Sequence, residues 1–565
     1  MRTTFIILTA IFLFLNSEKV TAQPYNLPDS IVVKINKFFS KWDNTNSPGC
    51  TIGIVRNDSL LFAKGYGMAN LEYGIPNIPQ TIYYMGGVSQ QFTAYAIVLL
   101  ARQGKLSLDD SITKYLPWFP DMGEKITIRH LLNHTSGIRD ELLLLEIAGT
   151  RVSAGDIVTR DHIIKLLSKQ KELNFKPGEQ HIYSNSNFAL VSEIIQKVSG
   201  QSLSRFCDSA IFKPMGMNNT HFYDDYTELI KNRAYSYTQK DSVHYANNIE
   251  NCSSAGETGL YTDIYDLGKW IVNYYDPKGT MEENFRVLTQ QGKLNNGNEI
   301  RSALGVFVET YKGLKYFNYE GGLAGFHTNM SVFPDLKMGF MIFGNLNDVG
   351  VIKKTLQLAD LFIKDTIKQT ATTKDTSMAF VKDSLFLKNY VGDYVSDEGI
   401  LFHLRHKNDK LYFHLYSRKE NNLLIPDSLN TFTTLSLPDH KFIFSISGKD
   451  TTLVVTTTER VFHHKKYRHN PSPSYNTLRT YTGIYYCPEL DCKYSIILKN
   501  HRLLLTNSKY SDVPLHLVGA NDLYGDEENR YEMSHLQITR DGSNKIIGFE
   551  TTIWRVQHLK FIKIE

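Results

Sequence analysis

Cysteine is scarce in this sequence: five residues in 565, at positions 50, 207, 252, 487 and 492. So sparse and odd a set gives no disulfide framework, and the fold must rest on apolar cores. Cys50, at the head of the apolar run Cys50–Val55, reads as a small core residue. Cys487 and Cys492 flank Pro-Glu-Leu-Asp in a strand-turn stretch and are able to pair in an oxidising compartment. No second thiol pair accompanies them, which argues against a zinc site. A dominant charge is lacking too. The formal net charge is +4 with both signs mixed, so nothing calls for a nucleic-acid partner. Beyond the N-terminus, no segment reaches the ~20 apolar residues that a membrane-spanning helix needs.

The N-terminus itself carries Arg2, an apolar run from Phe5 to Leu15, and Val20-Thr21-Ala22 before Gln23. That pattern predicts a signal peptide over 1–22, cleaved after Ala22, and a periplasmic or secreted protein. No cysteine stands at the cleavage point, so a lipid anchor is not indicated. A chain of 565 residues is too long for one core, and two to four domains are expected.

Residues 85–94 read Met-Gly-Gly-Val-Ser-Gln-Gln-Phe-Thr-Ala. Further on come Tyr115-Leu116-Pro117, then His130-Leu131-Leu132-Asn133-His134-Thr135-Ser136-Gly137, Pro177-Gly178-Glu179 and Tyr183-Ser184-Asn185. Lys213-Pro214-Met215-Gly216, Gly259-Leu260-Tyr261-Thr262 and Gly321-Gly322 with Gly325-Phe326 complete the series. Each motif is weak alone, but the order and spacing are specific. Over residues 28–366 the chain resembles the penicillin-recognising serine hydrolases: class C β-lactamases, D-alanyl-D-alanine carboxypeptidases and related esterases. The resemblance implies an α+β fold, an antiparallel sheet flanked by helices with a helical lobe.

It also implies a serine nucleophile and a lysine base, as in Gly-Ser-Val-Ser-Lys-Gln-Phe-Thr-Ala, and both are missing. In register, Gly87 stands at the serine position and Gln90 at the lysine position. Glycine has no side-chain atom to attack with, and a neutral amide does not accept the proton. Ser89 is no substitute, because Phe92 lies three residues on. Tyr183 and Asn185 match the family's Tyr-x-Asn element, which assists proton transfer and holds substrate. Without a neighbouring lysine, Tyr183 is expected to stay protonated as a hydrogen-bond donor; the alternative is a tyrosine packed under the cleft floor. Where relatives carry Lys-Thr-Gly or His-x-Gly, this chain has Tyr319-Glu320-Gly321, followed by Gly322. Tyr183, Asn185, Tyr319, Glu320, Gly321 and Gly322 are thus the candidate ligand-binding residues. If Glu320 faces the cleft it disfavours carboxylates and favours amines, whereas strand alternation lets it point away.

His130 and His134 lie four apart in a stretch read as helix, which would put both imidazoles on one face. No zinc signature or third ligand surrounds them, so they read as structural, and no metal or cofactor is expected. Strands are expected at Cys50–Val55 and Leu60–Lys64 around Arg56-Asn57-Asp58, and helices at Gln90–Gln103, Asn187–Val198 and Val351–Lys364.

After a polar linker at 367–379 the sequence repeats itself. Leu387-Lys388-Asn389-Tyr390-Val391-Gly392-Asp393-Tyr394 returns as Leu478-Arg479-Thr480-Tyr481-Thr482-Gly483-Ile484-Tyr485. Leu411-Tyr412-Phe413 returns as Leu503-Leu504-Leu505. The division expected is 23–366, then all-β units at 380–468 and 477–565 joined by a linker at 469–476. Each unit reads as a small barrel or sandwich and resembles the lipocalin-like domains that follow such hydrolase domains. Its Tyr and Phe residues suit either a ligand-cavity lining or core filling, and core filling is the favoured reading. Three functions follow from these features: a pseudo-enzyme binding a small-molecule or cell-wall-peptide-like ligand, a hydrolase of unusual mechanism, or a structural protein acting through its β units. The retained Tyr183 and Asn185 with the lost dyad favour the first.

Overall fold

The largely apolar runs Cys50–Arg56 (β1) and Ser59–Tyr66 (β2) form strands that pair across a turn at Asn57, whose φ is 54°. Four later strands join them: Phe307–Tyr311 (β3), Leu314–Leu323 (β4), Phe326–Phe333 (β5) and Met338–Gly344 (β6). The result is a six-stranded antiparallel sheet in the order β3-β4-β5-β6-β1-β2. This computed structural model describes residues 27–152, 155–363, 384–396, 401–415, 422–428, 430–434, 440–447, 450–457, 461–467, 473–509, 512–517, 520–525 and 535–565. The segment 1–22 expected to be a signal peptide, the expected linker 367–379 and part of that at 469–476 lie outside the described residues.

Alternation sorts the sheet residues onto two faces. Ile52, Ile54, Phe340 and Ile342 pack with helices Asp29–Phe39 (α1) and Val351–Ile363 (α5). On the other face Val55, Met341 and Phe343 join a core shared with Gln90–Arg102 (α2), Asn185–Ser199 (α3) and Ile264–Ile271 (α4). Gly53 is required here, because a Cβ on it would lie 2.6 Å from Ile264 Cγ2. Helix α2 buries Phe92, Ile97 and Leu100 as its spacing predicts, and Gly200 ends α3 in the left-handed region at φ 73°.

Two eight-stranded closed barrels follow, one from Gly392–Ser396 to Val461–Tyr467 and one from Gly483–Cys487 to Val556–Lys563. The sequence repeat appears as a repeated tie: Tyr394 Oη donates to Tyr390 O at 2.9 Å, and Tyr485 Oη to Tyr481 O at 2.7 Å. Phe402, Phe413, Phe442 and Phe444 fill the first barrel as core residues. The first barrel has its own core, whereas the core of the second is continuous with the α/β part through residues such as Leu490, Tyr494 and Phe561. Tyr494 Oη donates to Ile147 O at 2.8 Å across that junction.

Cys487 and Cys492, for which pairing was left open, stand directly opposite each other in register as free thiols. One local expectation is corrected. The helix at His130 spans only Ile128–Leu132, and His134 lies beyond it at φ 56°, so the two imidazoles do not share a helix face. Among the described residues no helix is long and apolar enough to cross a membrane.

Candidate functional site

One turn of 3-10 helix, Gly86–Ser89, leads into α2 and presses against β4 backbone to backbone. A Cβ on Gly321 would lie 2.0 Å from Met85 O and 2.6 Å from Gly87 N, so only glycine permits this approach. A Cβ on Gly87 would meet Glu320 O at 2.8 Å, Tyr319 Cε1 at 3.2 Å and Tyr183 Oη at 3.3 Å. The space a nucleophile would need is therefore occupied. Ser89 faces elsewhere: its hydroxyl donates to Gly86 O at 2.6 Å and accepts from Leu260 N at 3.1 Å.

Gln90, at the first position of α2, is fully buried and joins four groups. Its Nε2 donates to Tyr183 Oη at 2.6 Å and to Glu257 O at 3.3 Å. Its Oε1 accepts from Tyr319 Oη at 2.5 Å and from His134 Nε2 at 3.1 Å. The histidine tautomer follows from its other nitrogen, because Nδ1 accepts from Ser184 N at 3.2 Å. Burial holds the His134 pKa well below the usual imidazole value, so it donates as a neutral ring. Both donors and both acceptor sites of the Gln90 amide are used.

Tyr183 precedes α3 and Asn185 begins it. Tyr183 Oη donates to Asn185 Oδ1 at 2.9 Å, and Asp140 Oδ2 accepts from Asn185 N at 2.8 Å and from Asn185 Nδ2 at 2.9 Å. Burial pushes the Tyr183 phenol up, against the pull of the Arg555 guanidinium, and burial also raises Tyr319. Both phenols stay protonated at neutral pH. Tyr319 is 1% exposed and stacks on Phe307 with ring centroids 4.9 Å apart. The structure thus brings Gly87, Gln90, Tyr183, Asn185 and Tyr319 to one place.

Glu320 does not join them. Alternation along β4 sends its side chain to the opposite face from Tyr319, half exposed, with Oε2 3.7 Å from His327 Nε2. The expectation that it gives the cleft an amine preference is therefore withdrawn. Gly321 serves the close approach, and Gly322 is exposed beside it.

A family model described as Beta-lactamase matches residues 35–361, more than half of the chain. The chain belongs to the beta-lactamase family. Protein flp of Staphylococcus aureus (strain MRSA252) is 29% identical over 317 residues, which cover 54% of this chain and 61% of flp. The match thus spans less than two thirds of that relative. Penicillin-binding protein 4* of Bacillus subtilis (strain 168) is 26% identical over 392 residues, 65% of this chain and 83% of that protein. Among solved structures, the octameric penicillin-binding protein homologue from Pyrococcus abyssi has a TM-score of 0.54 at 23% identity, covering 78% of this chain and 99% of that one. FmtA from Staphylococcus aureus has a TM-score of 0.50 at 22% identity, covering 63% and 94%. These two are likenesses of fold.

Within this beta-lactamase-family frame, sequence reading missed three participants. His134 is the buried, hydrogen-bonded histidine expected, but its donation to Gln90 was not foreseen. Asp140 follows the His134–Gly137 motif closely and holds Asn185. Arg555 comes from the second barrel, and its guanidinium lies over the Tyr183 ring, 4.3 Å from the centroid. Only Asp140 had a local signal, its place just after a recognisable motif.

Proposed function

We propose that this protein is a secreted member of the beta-lactamase family that has given up covalent hydrolysis and binds a small ligand in the retained cleft. The observation that carries the reading is Gln90: the residue at the base position is a neutral amide with every hydrogen-bonding site engaged. An acyl transfer needs a nucleophile and a proton acceptor, and Gly87 and Gln90 supply neither. Tyr183 is only partly buried, so a ligand can meet its side chain, while Asn185 is buried beside it and holds its hydroxyl. The leader-like composition of residues 1–22 supports export. The reading also divides the chain into 23–366, 380–468 and 477–565.

Turnover of a reporter cephalosporin and of activated esters by the full chain tests it. The expected result is no hydrolysis above buffer that Tyr183→Phe or Asn185→Ala removes. Rapid turnover abolished by either substitution would overturn the reading and favour a hydrolase of unusual mechanism.

A further inference from the structure

The last hairpin of the second barrel runs from Ile546–Ile553 to Val556–Lys563, and its loop is the pair Trp554-Arg555. Two-residue hairpin loops favour Asn, Asp and Gly, because their central positions take positive φ. Here a tryptophan is held at φ 27°. A bulky side chain in that conformation runs against turn preference, and such strain concentrates where a loop contacts a ligand or a site.

The loop is fastened to the α/β part by its backbone. Arg555 O accepts from Asn174 Nδ2 at 2.9 Å and from Asp140 N at 3.3 Å, and Gln557 N donates to Asn174 Oδ1 at 2.7 Å. Arg139 clamps the following residues, with Nε donating to Gln557 O at 2.9 Å and Nη2 to His558 O at 3.0 Å. The anchor is thus the Arg139-Asp140 segment whose carboxylate also holds Asn185.

The Arg555 guanidinium is held by two ring faces and one long ion pair. Its carbon lies 4.3 Å from the Tyr183 ring centroid and 4.0 Å from that of Trp554. Its Nε has no hydrogen-bond partner, and its nearest carboxylate oxygen, Asp140 Oδ2, is 3.7 Å from Nη1 and already takes two hydrogen bonds from Asn185. Other nearby cations are engaged: Arg139 with Glu489 at 2.8 Å and Arg301 with Glu309 at 3.0 Å. A guanidinium whose faces are covered by aromatic rings keeps its N–H groups pointing edgewise, the arrangement that accepts a carboxylate in plane. Nε is buried, whereas the side chain as a whole is 23% exposed, so the edge that meets solvent is that of the terminal Nη groups.

We propose that Arg555 is the specificity-determining residue of the cleft, where it takes the carboxylate of a small ligand whose apolar body lies against Tyr183 and the exposed Trp554. This rests on the ligand-binding reading above and deepens it. The positive charge absent from positions 90 and 319 is returned to the cleft by the far end of the chain.

A matched set of probes tests it on the full chain: N-acetylphenylalanine, its primary amide, and phenethylamine, with affinities from ligand-observed NMR titration. The acid should bind at least about tenfold more tightly than the amide, a ratio expected of one charge-assisted hydrogen bond. The preference should fall to near unity in Arg555→Gln and be partly kept in Arg555→Lys. In the unaltered protein it should weaken as salt rises, a readout that needs no variant to fold. Equal binding of acid and amide, or an acid preference that survives Arg555→Gln, would overturn the assignment and leave the ligand-binding reading standing. Absence of binding by all three probes would overturn both.

Discussion

Tyr319 donates a 2.5 Å hydrogen bond to the side-chain oxygen of Gln90, joining β4 to the start of α2. A lysine at 90 would have no acceptor for the Tyr319 hydroxyl or the His134 Nε2–H, so the amide oxygen of Gln90 ties these residues together. A double-mutant cycle with Gln90→Ala and Tyr319→Phe should therefore show a coupling of about 1–2 kcal/mol in denaturant unfolding. Additive losses would mean that the two sites are independent.

Gln90→Lys alone should destabilise the protein by about 1–3 kcal/mol, because it leaves the buried His134 N–H facing an ammonium. Flipping the tautomer is no escape, since Nδ1 already accepts from Ser184 N. Urea unfolding of the variant at neutral pH measures this directly.

Restoring the dyad should not restore the enzyme. In Gly87→Ser the new Cβ lies 2.8 Å from Glu320 O, a backbone atom that must shift, and 3.2 Å from the Tyr319 ring. The expected cost is about 1–3 kcal/mol, typical of overpacking. Gly87→Ser with Gln90→Lys should still hydrolyse a reporter cephalosporin slowly, because Tyr319 continues to fill the site. Further gain on adding Tyr319→His would identify that ring as the remaining block.

Local pattern made much of this fold legible. The hairpin at Asn57, helix α2, the close of α3 at Gly200 and the barrel repeat all follow from alternation, helical spacing or glycine position. Gly87, Gln90 and Tyr319, singled out by motif register, stand together in the fold. His134 was misread because Ile128, Leu131 and Leu132 satisfy a helical pattern within a helix too short to include it. For Glu320, alternation offers two faces, and the choice depends on which one meets α2. Arg555 had no local signal at all, since its contact with Tyr183 arises only when the second barrel docks.

That docking depends on Arg139, which is fully buried and paired with the buried Glu489. Arg139→Ala strands the carboxylate and frees the carbonyls of Gln557 and His558, and should cost about 3–5 kcal/mol. Calorimetry should show a lowered and broadened transition, while Lys278→Ala, at an exposed ion pair, should change little.

Burial raises the Glu257 carboxyl to about 7 from an ordinary value of 4.5. Between those values the folded protein keeps a proton that the unfolded chain releases, so this group lowers stability as pH rises through the window. Glu257→Gln should gain stability relative to the unaltered protein from about pH 4.5 to about pH 7, by on the order of 1 kcal/mol per pH unit at most. A difference that stays constant with pH would show that Glu257 is ionised in the fold.

The central claim is that the cleft performs no covalent chemistry. Intact-mass measurement after incubating the full chain with a reporter β-lactam and a panel of activated esters tests it most directly. The account predicts the unmodified mass throughout; a stoichiometric adduct mapped to any cleft residue would contradict it.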